Sequence, residues 1–152
     1  MGIDERLAEL GLELPAAPQP VASYVPVVLA GPMAFVSGQI GMVDGQTLHP
    51  GRLGGEVTVE QGQEAARRCA LQALAALKAE IGSLDRVRRI VMVNVFVASG
   101  LGFTEQPKVA NGASDLLVEI FGDAGRHART SVGPAQLPLG APVEVALIAQ
   151  ID

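Results

Sequence analysis

The apolar positions of this chain change period several times, and each change marks an element. Ile3, Leu7 and Leu10 recur at helical spacing, whereas Leu14 to Pro20 carries three prolines that a helix cannot run through. Residues 1–20 therefore read as a short helix and an extended tether ahead of a domain spanning 21–152. Tyr24 to Leu29 and Met33 to Ile40 are β-favouring stretches on either side of Ala30-Gly31-Pro32, which predicts an antiparallel hairpin. Gly41 to Gly55 holds five glycines with Asp44, His49 and Pro50, and is expected to be loop with at most short strand pieces. Thr58 and Gln61 have the spacing of a capping box, and Ala66, Ala70, Ala73, Leu74, Leu77 and Ile81 then return every three or four positions until Gly82. That is a helix whose alanine stripe suits close approach to a sheet.

From Arg89 to Ala98 both alternating faces are apolar, with Ile90, Met92 and Phe96 on one and Val91, Val93, Val95 and Val97 on the other, as in a strand inside a sheet. A second helix is expected from Gln106 or Pro107 to Phe121, carrying Val109, Leu116, Leu117 and Ile120 and weakened by Gly112. Ala128 to Gln136 and Val143 to Ile151 read as a closing hairpin. The order β-β, loop, α, β, α, β-β predicts an α+β fold in which two helices cover one face of an antiparallel or mixed sheet. The other face then needs a partner. Hydrophobic residues make up 49% of the 152 positions and charged ones 18%, against roughly a quarter charged in ordinary globular chains, so a second copy around a closed symmetry axis is the simplest cover.

Charge and composition narrow the function classes. A net charge of −5 without any basic run, and aromatics at 3%, offer neither the cationic footprint nor the stacking platforms that nucleic-acid binding uses. The single cysteine, Cys69, excludes an intrachain disulfide framework. The N-terminus lacks a secretory pattern and no apolar run approaches the ~18 residues of a membrane span, which leaves the cytoplasm as the default and no membrane partner. His49 and His127 stand in Gly/Pro-bearing loops without companion ligands and read as solvated side chains, so no metal is expected. The glycine pairs match neither a phosphate-binding loop nor a dinucleotide fingerprint, and no cofactor is expected.

Two charges stand out because they interrupt strand-like segments. Glu144 alternates with Ala146 and Ile148, while Val143, Val145, Leu147 and Ile151 face the other way. Its carboxylate is either a solvated edge charge or a desolvated group able to move protons. Arg129 shares a strand face with Ser131 and is either a surface arginine or a planar fork for a carboxylate. Ser37-Gly38-Gln39 ends an apolar strand, where a glycine admits a ligand to the backbone or simply makes a bulge. Tyr24 lines a cavity or finishes a core edge, and Asn111 caps the second helix or touches ligand. Asn94 reads as a satisfied amide of the core.

Taken together, Tyr24, Val36-Ser37-Gly38-Gln39-Ile40, the Val91 to Val97 strand, Asn111, Ala128-Arg129-Thr130-Ser131-Val132, Leu137-Pro138 and Val143-Glu144-Val145 resemble the RidA family, also called YjgF/YER057c/UK114. Ser131, where many close members carry cysteine, the added N-terminal helix and the extra residues between Asn111 and Phe121 make this a divergent subgroup. The resemblance implies a chorismate-mutase-like sheet, a homotrimer with a barrel-like core, and ligand clefts between subunits. It also implies hydrolysis of 2-enamine/2-imine acids to 2-oxo acids and ammonia. Arg129 would clamp the carboxylate of this small ligand, Glu144 would handle water and protons, and the Gly38 backbone would contact the reacting nitrogen. Tyr24, Ser37, Asn111 and Ser131 would line the cavity. The rival readings are a non-catalytic trimer that binds a small carboxylate, and an endoribonuclease.

Overall fold

In the computed structural model, which describes residues 1–19 and 22–152, the chain runs α1 (Ile3–Glu9), β1 (Val27–Ala30), β2 (Met33–Ile40), β3 (Met42–Val43) and β4 (Gln46–Thr47). It continues through α2 (Val59–Ile81), β5 (Val87–Val97), α3 (Gln106–Phe121), β6 (Ala128–Val132) and β7 (Val143–Ile151). Pro20, the last residue of the expected tether, and the boundary drawn after it lie outside the described residues. The expected capping box forms: Thr58 Oγ1 accepts from the Gln61 amide at 3.1 Å, and Gln61 Oε1 accepts from the Thr58 amide at 3.0 Å. The expected loop contains only the two-residue strands β3 and β4, paired with each other.

Five strands form one mixed sheet in the order β1-β2-β7-β5-β6, a mixed α+β architecture. The closing hairpin expected from the sequence does not form. β6 pairs parallel with β5 at the sheet edge, across the α3 connection that parallel neighbours require, and β7 lies between β2 and β5, antiparallel to both. Residues 133–142, with Pro134, Pro138, Pro142 and Leu139 at φ 58°, form an excursion instead of a tight turn. The physical reason lies in β7 itself. Val143, Val145, Leu147 and Ala149 are all buried, and such a strand gains most from a neighbour on each side.

α2 rests on β1, β2 and β7, and α3 on β5 and β6, so the two helices cover one face of the sheet. A register shift between Ile90 and Met92 turns Ile90 onto the helix side with Val93, Val95 and Val97, so Ile90 does not share a face with Met92 and Phe96 as strict alternation implies. Asn94 lies opposite Ala146 on the uncovered face and not in the core. That face carries Val28, Phe35, Met92, Phe96, Val132 and Ile148, of which Val28, Phe35 and Val132 are exposed. No helix among the described residues is long and apolar enough to cross a membrane. α1 packs on the outer side of the helix layer. Leu7 is buried, Ile3 N donates to Asp85 Oδ1 at 2.7 Å, Arg6 Nε donates to the Glu119 carbonyl at 2.9 Å, and Lys78 pairs with Asp4 at 2.8 Å.

Gly112 has a packing purpose that explains its place in a helix. A β-carbon there would overlap the Gln63 carbonyl oxygen of α2, and one on Gly62 would crowd a Val109 methyl of α3 at 3.0 Å, so α2 and α3 approach each other through glycines. Helix propensity alone favours Gly112→Ala by about 1 kcal/mol, whereas forcing the helices apart costs about 1–3 kcal/mol. The variant should therefore be less stable than the parent, a result that urea unfolding checks directly.

Candidate active site

The arginine half of the site begins on β6. Arg129 lies opposite Val93, and Ser131 opposite Val95, so both face the helix layer. Arg129 Nη1 donates to Asn111 Oδ1 at 2.7 Å and to Ser114 Oγ at 3.1 Å, both on α3. Asn111 is thus inside the helix and holds the arginine; it does not cap, as residue type suggested. No carboxylate pairs with Arg129 among the described residues. Ser131 Oγ is buried with no hydrogen-bond partner among them, a state that ordinarily costs about 1–3 kcal/mol.

Two residues not anticipated from the sequence complete this half. His127 Nδ1 lies 2.6 Å from the Gly125 carbonyl, which can only accept, so Nδ1 carries the proton and Nε2 accepts from Ser114 Oγ at 2.8 Å. His127 is therefore not the solvated side chain expected. Burial, with a smaller contribution from the Arg129 charge, pushes its pKa below the usual histidine range, against the opposing pull of the Gly125 carbonyl. The signal was available in the spacing. His127 precedes Arg129 by two, the strand period, and Ser114 follows Asn111 by three, close to one helical turn. His49, also expected to be solvated, contacts Glu64 at 2.9 Å.

The glutamate half lies on the opposite face. Glu144 pairs with Ile40 on one side and Phe96 on the other, and it projects from the uncovered face, because Val143 and Val145 point into the helix layer. A register shift between Val36 and Gln39 opens β2 at Gly38, and a β-carbon on Gly38 would overlap the Glu144 carboxyl oxygen. Gly38 leaves the space this carboxyl occupies, and a side chain there would oblige Glu144 to swing aside. Half-burial raises the Glu144 pKa above its ordinary value, so this carboxyl is a weaker acid and a better proton acceptor than a solvated one. Ser37 N donates to the Pro26 carbonyl at 2.9 Å, and the Ser37 carbonyl and hydroxyl both accept from Gln39 Nε2, at 3.2 and 3.4 Å. Continuing the β1–β2 register past Val27 and Val36 puts Tyr24 at this same end of the sheet, 54% exposed. Cys69 is buried, donates to the Val143 carbonyl at 3.3 Å, and has its thiol pushed up to about 12, chiefly by burial, which rules it out as a nucleophile at neutral pH.

Within one chain the structure thus brings Arg129, Asn111 and Ser131 to the helix side and Glu144, Gly38, Ser37 and Tyr24 to one end of the sheet, without joining the two sets. Comparison with known proteins places the chain in a family. The family described as "YjgF/chorismate mutase-like, putative endoribonuclease" matches residues 4–151. The chain belongs to that family. Within it, the chain is 50% identical over 147 residues to Protein TCP17 of Trypanosoma cruzi, covering 96% of this chain and 92% of that one. It is 31% identical over 142 residues to a 2-iminobutanoate/2-iminopropanoate deaminase of Dermatophagoides farinae, covering 93% and 95% of the two chains. Among solved structures, a protein of unknown function from Agrobacterium tumefaciens superposes with a TM-score of 0.92 at 45% identity, covering 99% of this chain and 92% of that one.

Proposed function

We propose that this YjgF-family chain hydrolyses reactive 2-enamine/2-imine acids to 2-oxo acids and ammonia, at a cleft completed by a second copy of itself. The observation that carries this reading is an arginine on β6 held through one nitrogen by α3 of the same chain and unpaired with any carboxylate among the described residues. Such a guanidinium keeps donors for a substrate carboxylate. Water then adds to the imine carbon, forming a C–O bond. As the C=N π bond opens, Glu144 takes one water proton and passes it to the nitrogen. The remaining hydroxyl proton then follows to the nitrogen by way of Glu144 as the C=O bond forms, the C–N bond breaks and ammonia leaves. Burial raises its pKa, which makes Glu144 a better proton acceptor than a solvated carboxylate.

A homotrimer supplies what one chain lacks. The apolar uncovered face would be buried by neighbouring sheets, and edge strand β6, which carries Arg129, would approach the Glu144 end of an adjacent copy. Asn111, Ser131, Tyr24, Ser37 and Gly38 would then line a single cavity. A non-catalytic trimer binding a small carboxylate would need Arg129 alone; the half-buried carboxyl against Gly38 favours chemistry. An acidic chain with few aromatics disfavours RNA cleavage. The test is 2-oxo acid release from enzymatically generated 2-iminopropanoate. The protein should accelerate it well beyond spontaneous hydrolysis, and a rate equal to the buffer blank refutes the proposal.

A further inference from the structure

We infer that Ser114 and His127 are positioning residues for Arg129, forming a brace that leaves only the Nε/Nη2 edge of its guanidinium to take a carboxylate. This rests on the carboxylate-binding reading of Arg129 and goes beyond it. The bonds run in one direction. The Gly125 carbonyl fixes the proton on His127 Nδ1, so Nε2 must accept, and the Ser114 hydroxyl must donate to it. With its hydrogen committed, Ser114 Oγ turns lone pairs toward Arg129 and accepts from Nη1 at 3.1 Å. Asn111 Oδ1 accepts from the same nitrogen at 2.7 Å. Both hydrogens of Nη1 are then used.

A guanidinium can grip a carboxylate end-on through Nη1 and Nη2 or side-on through Nε and Nη2. Saturation of Nη1 removes the first choice. Ser114, Val118, Arg126, His127 and Arg129 border an open cavity of about 230 Å³, so the brace lies at a surface where a small acid can approach. The neutral imidazole matters to this geometry. Burial and the adjacent Arg129 charge both disfavour its protonation, and a protonated Nε2 would donate to Ser114 and free the hydroxyl hydrogen that now points away from the arginine. An arginine held in advance loses less conformational freedom when ligand arrives, so the brace should act on affinity more than on the chemical step.

The test combines a ligand-free readout with a kinetic one. In wild-type protein the Arg129 Nη resonances should be resolved by slowed rotation about the guanidinium bonds. They should collapse to an average in Ser114→Ala and His127→Leu and return in Ser114→Thr, which keeps the hydroxyl. With 2-iminopropanoate, Ser114→Ala should raise KM about tenfold with a much smaller change in kcat, and Ser114→Thr should recover most of it. Unchanged Arg129 resonances, or an unchanged KM, in folded Ser114→Ala protein overturns the brace. Wild-type protein that shows the resonance pattern and no turnover would instead sink the deaminase reading and leave the brace standing.

Discussion

Arg129→Ala protein and Glu144→Gln protein, each at least about 100-fold slower than wild type on 2-iminopropanoate, should recover activity when they are unfolded together and reassembled. The expectation follows from the opposite faces on which the two side chains stand. Arg129 pairs across to Val93 and reaches α3, whereas Glu144 projects beside Gly38 from the uncovered side. If one copy supplies the guanidinium and its neighbour the carboxyl, random mixing of the two variants in a cyclic assembly leaves about a quarter of the clefts intact. Arg129→Ala costs about 2.7 kcal/mol or more of transition-state stabilisation at a 100-fold loss, which makes even partial recovery easy to see. A mixture no faster than its parts would mean that both groups serve a single protomer's site, or that only one of them serves the reaction.

Much of the fold could be read from the chain because it rests on local periodicity. The Thr58 to Gln61 cap, the alanine stripe of α2 and the alternation around Glu144 all translated directly into observed elements. What escaped was non-local. Nothing in Ala128–Val132 or Val143–Ile151 states that the later strand inserts between β2 and β5, since a strand's own pattern reports its burial and not its neighbours. The same limit hid the brace. Ser114 and His127 stand at suggestive spacings from Asn111 and Arg129, but they gain their roles only when α3 lies over β6. Gly112 was legible as a blemish in a helix, and only the contact with Gln63 shows it to be a requirement.

The second large effect concerns pH. Glu144→Gln should abolish most turnover, by about 100-fold or more, and yet raise the melting temperature at neutral pH. Burial raises the folded-state pKa of Glu144 above its ordinary 4.5, so between that value and the raised one the folded chain holds a proton that the unfolded chain has released. The stability from this retained proton is complete below about 4.5 and is lost as pH rises through the folded-state value. A glutamine carries no such charge, so the gap between variant and parent should be widest near pH 7 and narrow toward pH 4. His127 acts in the opposite sense. Its pKa is lowered, so its contribution is full above about 6.5 and falls away as pH drops through its folded-state value. That term is common to both proteins and cancels in their difference, which melting curves across the pH range can isolate. A gap that grows on acidification would contradict the assignment of burial as the cause.

The position of β7 also bears on how the molecule comes into being. During synthesis β1 and β2 emerge as one ribbon, and β5 and β6 as another, before the strand that zips them together. Until Val143–Ile151 leaves the ribosome both ribbons keep an unfilled row of backbone donors and acceptors, and the helices above them have half a floor. Assembly of the sheet must therefore wait for Val143–Ile151 to emerge, and any stall just upstream would strand two sticky half-sheets on one nascent chain.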